Sequence, residues 1–309
     1  MATRVLIGTC SWTDKTLLES GWYPPHVRTP AERLRFYAHN FPIVEVDSSY
    51  YAIPSPRSAA LWAQRTPEGF KFDVKAFAIF THHPTPPIAL PKDVYEALPA
   101  ALREKRHLYY RDLPQELIDE LWHRFAQALL PLAVTGKLGV VLFQFPPWFR
   151  PGLRSREYIT SLNERLPQFW LAVEFRQRDW LAQERDQQKT LAFLRQIGLP
   201  LVCVDEPQGF LSSVPPVAEA TGPIAVVRFH GRNAATWEAK GITAAERFNY
   251  LYTDQELGEW VPRIRHLAQQ AQEVHVLFNN CYRDYAVRNA RQMARLLAEP
   301  TPTHQPPLL

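Results

Sequence analysis

The stretch "IVEVDSSYY" at residues 43–51 combines the pattern of a buried β-strand with two acidic side chains. Ile43 and Val46 are typical of a strand that is covered on both faces. Glu45 and Asp47 lie two residues apart, so they point to the same side of that strand, because side chains alternate with a period of two. The two acids therefore form a pair on one face, where they either bind something or neutralise buried cations.

Seven further stretches have a strand pattern, and helical patterns lie between them. The eight predicted strands are 5–12, 43–51, 70–77, 139–146, 169–176, 199–206, 224–231 and 273–280. Parallel strands that alternate with helices predict an α/β fold, and eight of them predict a (β/α)8 TIM barrel. We expect a single domain over 1–298, with a Pro-rich disordered tail at 299–309. An open doubly wound sheet is the alternative.

The connection between the third and fourth strands is too long for an ordinary loop. Its first part, 78–115, is rich in Pro, basic and aromatic residues and follows the carboxyl end of a strand. This position is consistent with a lid over the barrel mouth and equally with a peripheral helical insertion. The segment 231–260, after the seventh predicted strand, is also long and is expected to cross the same face.

Composition excludes several classes of protein. The 309 residues are 46% hydrophobic and 21% charged, which indicates a globular protein with a large core. The net charge is only +4, and the sequence contains no polycationic tract that would require nucleic acid as a partner. The three cysteines form no Cys-x-x-Cys motif, which favours a reducing compartment. With no room for a signal peptide before the first strand and no long apolar run, we expect a cytoplasmic protein without a membrane partner. The sequence predicts no oligomeric state.

Several predicted strands carry charged or polar side chains at every second position and apolar side chains at the positions between. We call these two sets of alternate positions the charged parity and the apolar parity of a strand. Helices must cover the apolar parity, so we expect the charged parity to face the barrel axis, near the carboxyl ends where TIM barrels hold their active sites. The residues of this parity are Glu45, Asp47, Asp73, Lys75, Gln144, Glu174, Arg176, Arg228 and His230. Asp205, Glu206, Asn279 and Asn280 end their strands at the same level, with less clear parity. Buried ions must be paired or reached by water, so this set is either a site or a structural salt-bridge network.

Eight ordered blocks, among them "VEVDSSYY", "LFQFPPWF", "VEFRQRDW", "VRFHGRN" and "FNNCYRDYAVRNARQ", resemble the domain of unknown function 72 family, also called YecE-like. The resemblance runs from Gly8 to about Leu297 and implies a TIM barrel, but it implies no activity. Family members commonly have Asn at the position of Asp47, so a role that needs an amide there is not carried over. The positions that match are Glu45, Lys75, Gln144, Glu174, Arg176, Arg228, His230, Asn279 and Asn280.

The first functional hypothesis is an enzyme that does acid/base chemistry on a small anionic, phosphorylated or sugar-like substrate. Glu45 or Glu174 would be the general base, and His230 the complementary acid. The substrate-binding candidates are Lys75, Gln144, Arg176, Arg228, Arg232, Asn279, Asn280, Trp12 and Tyr50. Gly231 and Arg232 lie where TIM barrels often bind phosphate.

Two alternatives remain open. A divalent-metal phosphodiesterase would use Glu174, Asp205 and His230 as ligands, since these side chains end three successive strands. A non-catalytic module for nucleotide or nucleic acid would stack bases on the aromatic residues near the mouth. No other cofactor is predicted.

Overall fold

The computed structural model describes residues 3–299, and their centre is one sheet of eight parallel strands. The predicted tail lies outside the described residues, apart from Glu299. The strands are β1 (Arg4–Thr9), β2 (Ile43–Val46), β3 (Lys71–Lys75), β4 (Leu138–Phe145), β5 (Trp170–Phe175), β6 (Val202–Asp205), β7 (Ile224–Phe229) and β8 (Glu273–Phe278).

The order of the strands in the sheet is β5-β4-β3-β2-β1-β8-β7-β6. The two ends of this sheet meet between β5 and β6, where Val173 bridges Leu201 and the Val173 amide donates to Pro200 O at 2.9 Å. The sheet is therefore a nearly closed barrel rather than an open one. The predicted TIM barrel is confirmed, and the doubly wound alternative is wrong.

Helices cover the outside of the barrel because the outward parity of the strands is apolar. Val44, Phe72, Val173 and Val227 are fully buried. The helices are α1 (Lys15–Glu19), α2 (Pro30–Asn40), α3 (Pro56–Gln64), α4 (Lys92–Ala97), α5 (Ala100–Arg103), α6 (Gln115–Val134), α7 (Leu153–Arg165), α8 (Glu184–Ile197), α9 (Ala244–Arg247), α10 (Asp254–Gly258), α11 (Val261–Gln270) and α12 (Tyr285–Ala298). No helix within residues 3–299 is both long and apolar enough to cross a membrane.

The insertion after β3 packs against α6, and its Phe80 carbonyl also accepts from Tyr158 of α7. Phe80 stacks on Trp122 of α6 with ring centroids 3.7 Å apart. Asp93 of α4 pairs with Arg124 of α6 at 2.5 Å, and Val94 is buried. Most of 78–115 is thus a peripheral layer, although its first residues reach the carboxyl ends of the strands.

A group of three side chains at the amino-terminal end of the barrel, Asp73, His275 and Glu273, forms what we call the lower charged layer. Asp73 Oδ1 accepts from the Val140 amide at 2.9 Å, and its Oδ2 lies 2.9 Å from His275 Nδ1. His275 Nε2 lies 2.8 Å from Glu273 Oε1. Gly139 makes room for this contact, since a Cβ there would lie 2.1 Å from Asp73 Oδ1.

Candidate functional site

A cavity of about 510 Å³ opens at the carboxyl ends of the strands. Of the predicted binding residues, Tyr50, Lys75, Gln144, Arg176 and Asn279 line it. Its other wall residues come mostly from the loops that follow the strands: Cys10, Ser11, Asp14, Asp47, Tyr51, His83, Pro146, Pro147, Ser212, Trp237, Ala244, Arg247, Phe248 and Cys281.

Arg228 occupies the barrel interior directly beneath this cavity. Its Nη2 donates to Glu45 Oε1 at 2.6 Å, and its Nη1 donates to Glu174 Oε2 at 2.5 Å. These contacts join β7 to β2 and β5 across the interior, and all three side chains are fully buried. The inward orientation predicted for these three charges is confirmed.

Arg176, just beyond β5, connects this interior cluster to the cavity wall. Its Nε donates to Glu174 Oε1 at 2.6 Å, and its Nη1 lies 3.0 Å from Glu206 Oε2. Its guanidinium also lies over the ring of Trp237, 5.1 Å from the centroid. We call Glu45, Glu174, Arg176, Glu206, Arg228 and His230 the upper charged layer. Glu206 was not among the predicted site residues, because the end of its strand left two acids with unassigned parity.

His230 is buried between Arg176 and Asn279. Its Nε2 lies 2.9 Å from Arg176 Nη2 and 3.2 Å from Glu174 Oε1, and its Nδ1 lies 2.9 Å from Asn279 Nδ2. Burial, assisted by the positive charge of Arg176, holds the pKa of His230 well below its ordinary value. The imidazole is therefore neutral at physiological pH, which does not suit the predicted role of general acid.

The three acids of the upper charged layer differ in their affinity for protons. Burial opposes the ionisation of Glu174, but Arg228 and Arg176 hold its pKa well below the ordinary value. Burial, assisted by the negative charge of Asp47, raises the pKa of Glu45 to about 8 against the effect of Arg228. Burial likewise raises the pKa of Glu206 to about 8, against the effect of Arg176. Glu174 is thus a fixed carboxylate and a poor base, whereas Glu45 holds a proton at neutral pH.

Lys75 and Asp47 meet in the cavity wall, where Lys75 Nζ lies 3.5 Å from Asp47 Oδ1 and 4.9 Å from the centre of the Tyr50 ring. Ser49 fixes this corner, because its hydroxyl contacts Val46 O at 2.7 Å and Lys75 O at 2.6 Å. The segment that follows β2 therefore sets the position of both the cation and the acid.

The loop that follows β7 covers one side of the cavity with Trp237 and Phe248. Arg247 fixes the loop by donating to the carbonyls of Thr236 at 3.2 Å, of Ala239 at 2.7 Å, and of Trp237. The long segment 231–260 does reach this face, as expected. Arg247 was not predicted, since a residue on a long irregular loop carries no periodicity that would assign its direction.

Trp12 and Asn280, both predicted binding residues, lie away from the cavity. Trp12 is buried, and its ring packs edge-on against Trp62 with centroids 5.9 Å apart. Asn280 points to the outside of the barrel, where its Nδ2 donates to Tyr250 O at 2.9 Å and to Asn289 Oδ1 at 2.8 Å. At this strand end Asn279 faces inward, and Asn280 has the opposite parity.

The phosphate site expected after β7 is not formed. Arg232 donates to Asp205 at 2.7 Å and to Glu259 at 2.8 Å, away from the mouth. The Gly231 amide is already used, because it donates to the Tyr252 hydroxyl at 2.8 Å. Both groups hold the loop to the barrel instead of facing a ligand.

The predicted metal ligands do not meet. Asp205 accepts from the Tyr252 hydroxyl and from Trp260 Nε1, both at 2.7 Å, on the outer side of the strand, whereas Glu174 and His230 lie inside. Within residues 3–299, no group of three or more His, Cys, Asp or Glu side chains is arranged to hold a metal ion.

Comparisons with known proteins agree on one family. The family described as "Protein of unknown function DUF72" matches residues 6–308. The UPF0759 protein YunF of Bacillus subtilis is 34% identical over 95% of this chain and 94% of its own length. The UPF0759 protein YecE of Escherichia coli is 27% identical over 59% of this chain and 56% of its own.

Solved structures of the same family have the same fold. A DUF72 family protein from Thermotoga maritima superposes with a TM-score of 0.74 at 32% identity, covering 96% of this chain and 100% of that one. A second, from Enterococcus faecalis, gives a TM-score of 0.76 at 27% identity, with 96% of each chain covered. This chain belongs to the DUF72 family, whose function is unknown.

Proposed function

We propose that this protein is an enzyme that does acid/base chemistry on a small anionic substrate, phosphorylated or sugar-like, at the carboxyl-terminal mouth of the barrel. One observation carries the proposal: Lys75 and Arg176 line a cavity of about 510 Å³ whose wall also contains Asp47, two residues after the buried acid Glu45. Burial raises the pKa of Glu45 to about 8, so this acid holds a proton at neutral pH. A cavity of this size is in the range of small-molecule sites.

The charge balance of the site favours an anion. The cavity wall and the upper charged layer together contain four cations and five acids, namely Lys75, Arg176, Arg228 and Arg247 against Asp14, Asp47, Glu45, Glu174 and Glu206. Because the pKa values of Glu45 and Glu206 are both raised to about 8, these two acids are protonated at neutral pH. Three carboxylates then face four cations, and the surplus positive charge attracts an anion.

The cations have the geometry for such a ligand. The ion pair between Lys75 and Asp47 is long, at 3.5 Å, so the Lys75 ammonium is able to exchange Asp47 for a ligand oxygen. The guanidinium of Arg176 is held rigidly by Glu174 and Glu206. The aromatic rings of Tyr50, Trp237 and Phe248 supply flat apolar surface for the body of a sugar-like molecule.

Calorimetric titration with inorganic phosphate and with a panel of aldose and ketose phosphates tests the binding. We expect Lys75→Met to weaken binding by roughly tenfold, as for the loss of one charge-assisted contact. Lys71→Met is the matched control, because Lys71 lies on the same strand at the opposite end of the barrel and contacts Gly136 O at 2.8 Å. Binding that is absent, or that Lys71→Met weakens as much as Lys75→Met, would overturn the proposal.

Deuterium exchange tests the chemistry. Any sugar phosphate that binds is incubated with the protein in D2O, and its carbon-bound deuterium is measured by mass spectrometry, together with conversion to product. We expect the wild type to catalyse exchange or turnover and Glu45→Gln to abolish it, because the amide that replaces the carboxyl group has no acidic proton to transfer. Tight binding without exchange or turnover would indicate a non-catalytic binding protein and would contradict the proposal of an enzyme.

A further inference from the structure

Glu45 of β2 and Asp47, which directly follows β2, each have an oxygen without a hydrogen bond among the described residues. Glu45 Oε1 accepts from Arg228, but Glu45 Oε2 is buried and has no hydrogen-bond partner among the described residues. Asp47 Oδ1 is buried and also lacks a hydrogen bond within 3–299, with Lys75 Nζ at 3.5 Å as its ion-pair partner. An ionised carboxylate with an unpaired buried oxygen is costly, and two adjacent ones are more so.

One proton satisfies both oxygens. Glu45 and Asp47 lie two residues apart, and the unpaired oxygens of both side chains are buried. A side-chain hydrogen bond to Asp47 is among the causes that raise the pKa of Glu45. Two carboxylates cannot hydrogen-bond, since both only accept, whereas a carboxylic acid donates to a carboxylate in a short, charge-assisted bond. We propose that Glu45 and Asp47 share one proton, carried on Glu45 Oε2 and donated to Asp47, and that Asp47 is the residue that exchanges this proton with the substrate.

The positions of the two acids assign their roles. Glu45 is fully buried and does not reach the cavity, whereas Asp47 lines it and its side chain is 32% exposed. Asp47 is therefore the catalytic residue, and Glu45 is the proton reservoir that acts through it. This use in catalysis rests on the proposed function, but the shared proton itself is a property of the free protein.

During the reaction one proton passes from Glu45 through Asp47 to the substrate. It moves from Glu45 Oε2 to Asp47, and Asp47 gives it to a basic atom of the substrate. Both acids are then carboxylates, neutralised by Arg228 beside Glu45 and Lys75 beside Asp47. Water at the open mouth, or the next proton released by the substrate, restores the resting state through Asp47.

The other charged groups around Glu45 do not supply a competing partner for its free oxygen. Arg228 of β7 bonds the opposite oxygen, and Glu174 of β5 faces Glu45 only through Arg228. The register partner of Glu45 on β3 is Asp73, which bonds His275 and the Val140 amide in the lower charged layer. Cys10, directly after β1, contacts Arg228 Nη2 at 3.7 Å. Burial, and next the charge of Glu45, raises the pKa of its thiol, which remains protonated. Lys75, on β3, pairs with Asp47.

Infrared spectroscopy of the free protein tests the shared proton, because a protonated carboxyl group has a carbonyl band that ionisation removes. Glu206 also has a raised pKa, so spectra are recorded as a function of pH in Glu206→Gln, with and without Asp47→Asn. We expect one protonated carboxyl at neutral pH in Glu206→Gln, lost as the pH rises through about 8. Adding Asp47→Asn should lower its proton affinity by roughly tenfold, since a neighbouring negative charge is removed.

Two outcomes would overturn the inference: no protonated carboxyl at neutral pH in Glu206→Gln, or a transition that Asp47→Asn leaves in place. Near-ultraviolet circular dichroism checks that both variants are folded, and Glu45→Gln, where it folds, should remove the band altogether. Asp47→Asn could instead change the pH at which the band is lost as expected and still retain full exchange or turnover of a bound sugar phosphate. In that case the catalytic role of Asp47 is wrong and the shared proton stands. If Asp47→Asn does not change the pH at which the band is lost, the shared proton is wrong, whether or not a ligand binds.

Discussion

The barrel interior holds two charged layers, one at each end, and they differ in how completely their polar atoms are paired. In the lower charged layer, both oxygens of Asp73 and both ring nitrogens of His275 have a partner at 2.8–2.9 Å. In the upper layer, Glu45 Oε2 and Arg228 Nε have no hydrogen-bond partner within the described part of the chain. A fully paired buried network rigidifies a fold, whereas a partly paired one beneath a cavity is typical of a functional site.

This difference leads us to interpret the lower layer as a structural network and to propose the upper layer as part of a site. The lower layer lies at the end of the barrel where TIM barrels are stabilised, and it is closed by Arg4, which lies 3.5 Å from Glu273. The upper layer lies at the end where TIM barrels carry their loops and active sites, and Arg176 connects it to the cavity. The variants below test whether the two layers separate in this way.

The largest effect on stability is expected from Arg228→Met, which removes the cation that bridges Glu45 and Glu174. A buried ion pair that loses one partner leaves an uncompensated charge, so the free energy of unfolding should fall by roughly 3–5 kcal/mol. Urea unfolding measures it. A loss below about 1 kcal/mol would show that water reaches the upper layer and compensates the charges.

His275 should make stability depend on pH in a way that identifies the lower layer. Although burial opposes its charge, Asp73 and Glu273 raise the pKa of His275 to about 9 from an ordinary value of 6.5. A pKa that is raised in the folded state stabilises the protein fully below pH 6.5, and this contribution is lost as the pH rises towards 9. The wild type should therefore exceed His275→Gln in unfolding free energy by roughly 3 kcal/mol near pH 6, and by little near pH 9. A difference between the two proteins that does not change with pH would contradict this assignment.

The same substitution in each layer should have unequal effects. Asp73→Asn breaks buried, charge-assisted contacts to His275, so it should cost roughly 1–3 kcal/mol of unfolding free energy. Asp47→Asn changes a partly exposed side chain with a 3.5 Å ion pair and keeps an amide oxygen that accepts the Glu45 proton, so it should cost less, within about 1 kcal/mol. Thermal or urea unfolding of the two variants side by side makes the comparison. Equal losses would remove the distinction between the layers.

The smallest effect is expected from Arg232→Gln. Arg232 is bonded to Asp205 and Glu259 outside the barrel mouth, so its removal should leave the affinity for inorganic phosphate unchanged by calorimetry. Lys75→Met, measured in parallel, should show the roughly tenfold weakening expected for the mouth. If Arg232→Gln weakens phosphate binding instead, the anion lies at the end of β7, as the sequence pattern had suggested.

The parity of the strands made the barrel and its inward charges predictable. Glu45, Glu174 and Arg228 were assigned correctly because each lies inside a strand, where the period of two leaves only one alternative. Asp205 and Asn280 were not, because they lie at strand ends. There the inward members of each pair are Glu206 and Asn279.

Height along the barrel axis was not predictable from parity. Asp73 faces inward like its register partner Glu45, but it belongs to the lower layer, because His275 and the Val140 amide bind it there. Residues supplied by loops, such as His83 and Arg247, carry no periodic signal at all. Their place in the cavity wall depends on tertiary contacts that a single sequence does not encode locally.

The most direct test of the claim that the carboxyl-terminal mouth is the functional site is a crystal soaked in selenate, an oxyanion located by its anomalous scattering. We expect an anomalous peak in the cavity within contact distance of Lys75 Nζ and the Arg176 guanidinium, and its loss in Lys75→Met crystals. A second hollow, of about 430 Å³, lies at the opposite end of the barrel and is lined by Lys71, Gln272 and Glu273, among others. A peak in that hollow, with none at the mouth, would contradict a functional site at the carboxyl-terminal mouth.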